Sequence, residues 1–173
     1  MNKELFLYSI AEICISIVLG VMLMYLAYRL IDKFVRKKND IKIDNLAYSI
    51  FSSSIIFSVA YLVSGIKSPI LNALRMLENN PAYEGSLVID GLKYSVLFLI
   101  ILIITISIII FLSIKLFTFM TKEINEFKEI GKNNVAVAII TATIIISMSI
   151  LVKDSLYLML ETFVPYPEDP RIF

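Results

Sequence analysis

The chain has 173 residues, 58% of them hydrophobic, with a mean hydropathy of +0.84, too apolar for a soluble domain of this length; such a composition belongs in a lipid bilayer. A net charge of +1 gives no reason to expect nucleic acid as a partner. The single Cys14 excludes an internal disulfide, and the absence of histidine excludes a Cys/His zinc site and removes the usual general base.

A helix crosses the hydrocarbon with about 20 mostly apolar residues. The first such segment runs from Leu5 to Leu30. It is not read as a secretory leader: the apolar run is too long, it carries Glu12, and "DKFVRKK" follows where a small-residue cleavage site would stand. Glu12 lies about two turns inside it. A carboxylate at that depth is costly and points to function, either protonated by desolvation or paired with Lys93, Lys67 or Lys153. The alternative is that the span begins near Ile10, which leaves Glu12 at the headgroup boundary without a special role.

The next loop carries Lys33, Arg36, Lys37, Lys38 and Lys42, and the loop after the third span carries Lys122, Lys128 and Lys132. Basic residues mark the cytoplasmic side, so both hairpin loops are expected inside and both termini outside. Lys33, Arg36, Lys37 and Lys38 form a candidate site for a cytoplasmic partner or anionic lipid.

The second span, Asn45 to Ile66, opens on an asparagine able to cap free helix amides. At 3.6 residues per turn Ala47, Ser54, Ser58, Tyr61 and Gly65 then share a face. "KSPILNALRMLENN" reads as a separate amphipathic helix at the interface, with Ser68 as cap and Pro69 at its first position. "LENNPAYEGSLVIDG" is the linker.

The third span, Tyr94 to Phe119, is the most uniformly aliphatic and is expected to face lipid. Lys115, like Arg29 on the first span, sits near a helix end and snorkels. The fourth span, Asn134 to Val152, repeats the capping asparagine and places Ala136, Thr143 and Ser147 on one face. "DSLYLMLETFVP" reads as a second short amphipathic helix, and the tail, with Pro165, Pro167 and Pro170, as extended chain. In a membrane such Ser/Thr/Ala faces either pack helices closely or line a path. Asn45, Ser54, Ser58, Asn134, Thr143 and Ser147 are therefore the candidate packing or path-lining residues. The second and fourth spans are the expected inner pair.

Displacing the sequence by 89 positions, without a gap, pairs Ile41 with Ile130, Asn45 with Asn134, Ala47 with Ala136, Ser54 with Thr143 and Ser58 with Ser147. The period covers two crossings, so the copies have the same orientation. The expected architecture is an all-α integral membrane protein of four spans: two tandem hairpins, 1–84 and 90–173, with short interfacial helices after the second and fourth spans.

Glu129, Ile130, Gly131, Asn134, Ala136, Ala138 and Ile139, with Asp40, Ile41, Asn45, Ala47 and Ile50 in the weaker first copy, resemble the motif of bacterial inner-membrane proteins grouped as domain of unknown function 350. That family is built from repeats of two membrane helices. Lys132-Asn133 adds one residue to the tightest form of the motif, which makes this chain a distant member. The resemblance implies the fold and the bacterial inner membrane, and it brings no catalytic residues.

The function expected from the sequence is that of a non-enzymatic membrane subunit, needing no cofactor or metal, that assembles with itself or with a membrane complex. The alternative is an ion channel or proton-coupled small transporter using Glu12.

Overall fold

The computed structural model describes the backbone of residues 3–80, 85–121 and 126–166, and within these the side chains of all but 3–9, 11, 12, 14–16, 19, 87, 88, 120 and 121. Among the described residues all regular structure is helical. Helix α1 (Lys3–Ile31) runs into a π-helical turn (Asp32–Arg36) and a 3-10 turn (Lys37–Asn39). Then follow α2 (Leu46–Glu78), α3 (Leu87–Thr121), the short α4 (Glu126–Gly131) and α5 (Val135–Glu161). Among the described residues three helices, α2, α3 and α5, are long and apolar enough to cross a membrane.

These helices outrun the expected spans. With 33 residues α2 is about 50 Å long at 1.5 Å per residue, against a hydrocarbon core of about 30 Å. No separate amphipathic helix begins at Ser68. Pro69 lies inside α2, and the helix continues to Glu78. Proline here removes one bond, the one its N–H would have given to the Gly65 carbonyl. A break at this point would free several backbone groups beside the buried Ile66, Ile70 and Ala73, where each unpaired group costs several kcal/mol. In the same way "DSLYLMLETFVP" does not form a helix of its own: it continues α5 to Glu161, with Leu156 and Leu160 buried. The proline-rich tail beyond Tyr166 lies outside the described residues.

The core is built around α2, which packs against α1, α3 and α5; its contact with α5 is the most extensive in the molecule. This is the expected inner pair. Phe51, Ile55, Val59, Leu62 and Ile66 of α2 join Ala138, Ile145 and Leu160 of α5 in one buried cluster. Of the most apolar stretch of each helix, 56% of α2, 33% of α5 and 22% of α3 is buried. Thus α3 is the least enclosed of the three, as its aliphatic composition predicts. Leu23 and Ile31 seat α1 on α2, while Val18, Val21, Tyr25 and Leu26 point outward.

Candidate functional site

Asn45 and Asn134, paired by the displacement of 89 positions, lie together where the interhelix loops meet. Asn45 caps α2, its Oδ1 accepting from Tyr48 N at 2.7 Å, and Asn134 caps α5, its Oδ1 accepting from Val137 N at 3.3 Å. An N-cap oxygen satisfies one of the amides that the first turn leaves unpaired, so the capping role expected for both residues is the one observed.

Asn45 does more. Its Nδ2 donates to the Ile130 carbonyl at 2.8 Å and to the Gly131 carbonyl at 3.2 Å, both in the last turn of α4. In return Asn133 Oδ1 accepts from Ala47 N at 3.0 Å. The first turn of α2 and the last turn of α4 thus complete each other's unpaired groups. Asn133 reaches this position because α4 ends in a Schellman turn: Asn133 is left-handed (φ 64°), Asn134 N donates to Glu129 O and Asn133 N to Ile130 O. Asparagine is among the few residues that enter this region readily.

The loop before α2 closes on a left-handed residue in the same way, Asp40 (φ 50°) with Ile41 N donating to Arg36 O, but three further residues separate Ile41 from Asn45, whereas Asn134 itself makes the closing bond of the other loop. Hence Ile41 and Ile130, paired by the sequence displacement, are both buried but lie in a loop and in α4 respectively. Ile41 packs on Gly131: a Cβ placed there would sit 3.7 Å from Ile41 Cγ1.

Around this junction several charges are paired. Glu129 accepts from Lys132 Nζ at 2.8 Å and from Asn134 Nδ2 at 3.0 Å, and both bonds hold its carboxyl below the ordinary glutamate range. Arg36 and Lys37 both face Asp32, whose carboxyl is held low chiefly by the Arg36 hydrogen bond. Lys33, Lys37 and Lys38 are exposed, while two of the four cations of the candidate site for a cytoplasmic partner or anionic lipid, Arg36 and Lys37, are engaged by Asp32. Glu126 is buried and accepts from the Thr118 hydroxyl of α3. A charged loop residue gives no sequence signal of such burial.

The opposite end of the α2–α5 pair carries a second clamp. Asn72 Nδ2 donates to Glu161 Oε1 at 2.8 Å, and the Tyr166 hydroxyl donates to Glu161 Oε2. That hydrogen bond to a carboxylate pushes the Tyr166 phenol up to about 12. Asn72 and Glu161 are themselves 89 residues apart, a match that residue identity alone could not reveal. Nearer the middle, Lys153 of α5 lies across Gly65 of α2 with its ammonium 4.3 Å from the Tyr61 ring centre.

The candidate packing residues divide. On α2, Ala47, Ser54 and Ser58 are buried. On α5, Ala136, Thr143 and Ser147 are exposed, and the helix turns Ala138, Thr141, Ile145 and Ser149 inward instead. Nor do the hydroxyls bond across the helix contact: Ser54, Thr141 and Ser149 donate to carbonyls of their own helix, and Ser58 Oγ has no partner among the described residues. Close approach of small side chains, rather than hydroxyl bonding, is what these positions supply. Glu12 lies in α1 with its side chain outside the described ones; of its suggested partners, Lys93 pairs with Asp90 at 2.6 Å and Lys153 sits on Tyr61.

The junction thus couples two helix ends. Residues 4–156 match the family described as Domain of Unknown Function (DUF350). The chain belongs to this family. No curated protein and no solved structure matches it. The DUF350 match takes in α1 to α4 and most of α5, so both capping asparagines and the Asn45–α4 contact fall within the family region.

Proposed function

We propose that this DUF350 chain is a non-enzymatic integral membrane subunit of four spans, made of two tandem helical hairpins, that assembles with itself or within a larger membrane complex through the outer face of α5. It would sit in the bacterial cytoplasmic membrane with the hairpin loops inside and the termini outside. At 29 residues α1 is about 44 Å long, sufficient for the fourth crossing.

The observation that carries this reading is the unequal fate of two matched stripes. Ala47, Ser54 and Ser58 are closed within the protomer, whereas Ala136, Thr143 and Ser147, each 89 residues later, lie open on a narrow strip of α5 with the exposed Ile140 and Ile150. Lipid gives helices no hydrophobic reason to associate, so association depends on close packing, and small side chains permit it. A second chain on α5 would bury there what α2 buries inside.

Native mass spectrometry of nanodiscs tests this. Thr143→Leu and Ser147→Leu shift the distribution towards monomer without loss of protomer stability. Ser58→Leu overfills the interior instead and costs about 1–3 kcal/mol of protomer stability. An unchanged oligomer distribution in both α5 variants would overturn the proposal. Wild-type chain retained with a different protein at fixed stoichiometry would assign the face to a complex rather than to self-association.

A further inference from the structure

Between α1 and α3, floored by α2, lies a crevice of 460 Å³. Leu23, Ala27 and Ile31 line one wall, Ile103, Ile106 and Ile110 the other, and Phe51, Ile55 and Val59 the floor. Among the described residues Ser107 is the one polar side chain in the lining, and its hydroxyl is turned to the Ile103 carbonyl at 2.8 Å. A water-filled path would need polar groups to hold its water; this lining offers almost none.

The crevice has a length and an end. On α3 its lining runs from Ile103 to Ile114, about 16 Å at 1.5 Å per residue, or roughly half of a ~30 Å hydrocarbon core. On the α1 side it begins at Leu23, in the last third of the helix, and opens beside Phe34, Val35 and Phe127, where the helices enter the basic loops. Two of its lining rings there carry a cation: Lys33 Nζ lies 5.6 Å from the Phe34 ring centre and Lys115 Nζ 5.7 Å from that of Phe111. One cation comes from each wall. The neighbouring Asp32 is already engaged by Arg36 and Lys37.

We propose that this crevice is a lipid site: it takes one acyl chain of an anionic phospholipid, whose phosphate is held by Lys33 of one wall and Lys115 of the other. A slot of one leaflet's depth, apolar along its length and cationic at the loop end, matches a lipid with its tail towards the midplane and its headgroup at the basic face. Snorkelling explains where each lysine ends; it does not explain why both end over rings of the same crevice.

The proposal rests on the membrane reading above, and its test separates the two. The chain has no tryptophan, so one introduced indole reports alone. Phe111→Trp places it at the rim of the crevice, and Ile108→Trp places it at an exposed position of α3 that does not line the crevice. Both are reconstituted in phosphatidylethanolamine vesicles containing equal amounts of brominated phosphatidylglycerol or brominated phosphatidylcholine. The expected result is equal quenching by the two lipids at position 108 and at least about twofold stronger quenching by phosphatidylglycerol at 111. That preference disappears with Lys33→Gln and Lys115→Gln, disappears when Ala27→Phe fills the slot, and survives Lys37→Gln with Lys38→Gln. Equal quenching at 111 would overturn the lipid site, as would a preference that only the Lys37 and Lys38 changes remove. Absence of quenching at 108 by either lipid would overturn the membrane reading itself.

Discussion

Asn45 and Asn134 offer the sharpest test of how the junction works, because they cap alike and differ in what else they hold. Serine is about as good an N-cap as asparagine but has no amide donor. Asn45→Ser therefore keeps the bond to Tyr48 N and loses those to the Ile130 and Gly131 carbonyls, in a site where Asn45 is 6% exposed. A lost hydrogen bond costs about 1 kcal/mol, and a buried carbonyl left short of a partner about 1–3. The Ile130 carbonyl retains Asn133 N at 3.0 Å, which places the total near 2 kcal/mol. Asn45→Ala gives up the cap as well, for about 1 kcal/mol more. Asn134→Ser keeps its cap and gives up only a bond to the partly exposed Glu129 carboxylate, which water replaces, so stability hardly changes. Unfolding by SDS titration in mixed micelles, with helicity and a proximity label between α2 and α4 as parallel signals, measures all three. Equal losses for Asn45→Ser and Asn134→Ser would refute the argument that Asn45 joins two helices while Asn134 serves one.

Other expectations follow from the same contacts. Glu129 is ionised more readily in the folded chain than unfolded, so its stabilisation is present above about pH 4.3 and is lost as pH falls through its lower folded value; Glu129→Gln removes that part of the acid sensitivity in an SDS titration repeated between pH 6 and 3. Tyr166 is shifted in the opposite sense, and its bond to Glu161 contributes below the ordinary tyrosine value near 10 and is lost as pH rises towards about 12; the 295 nm absorbance difference between wild type and Tyr166→Phe should show that late ionisation. Lys153→Met keeps the packing over Gly65 and removes the cation from the Tyr61 ring, at a cost of about 0.5–2 kcal/mol by unfolding titration. Under the assembly reading Glu12→Gln leaves the oligomer distribution unchanged; loss of a pH-dependent proton flux in proteoliposomes on that change would favour transport instead.

What the sequence disclosed were features decided by local chemistry. An asparagine ahead of an apolar run caps because free amides need an acceptor, wherever the helix then goes. The central place of α2 and the outward place of α3 follow from the small and hydroxylated residues of one and the aliphatic surface of the other. Ser68-Pro69 misled because the cap-and-proline pattern is also local, while the continuity of α2 is decided by its neighbours: Pro69 and Ile70 are buried by other helices and the backbone stays paired around them. Thr143 and Ser147 lie outside the protomer core for a related reason. A matched position fixes a direction from its own helix axis but not what stands in that direction, and α2 has three helices around it where α5 has mainly two. The Asn133 contact to Ala47 needed the left-handed turn of the loop, and the crevice needed the separation of two helices that are remote in sequence.

The way α1 is held connects the two proposals. Helices α2, α3 and α5 all pack on one another, and α2 and α5 are fastened near both ends, by Asn45, Asn133 and α4 at one and by Asn72 with Glu161 at the other. Helix α1 packs along α2, and among the described residues it makes little direct contact with α3 across the crevice. An acyl chain in that slot would supply van der Waals contact to both walls where protein gives little, and its phosphate would bring Lys33 and Lys115 to one anion. A lipid bound there would therefore set the position of α1 without touching the outer strip of α5 around Thr143 and Ser147. Lipid occupancy and chain association would then be separable properties: removing the two lysines should loosen α1 and leave the oligomer intact, while Ser147→Leu should do the reverse.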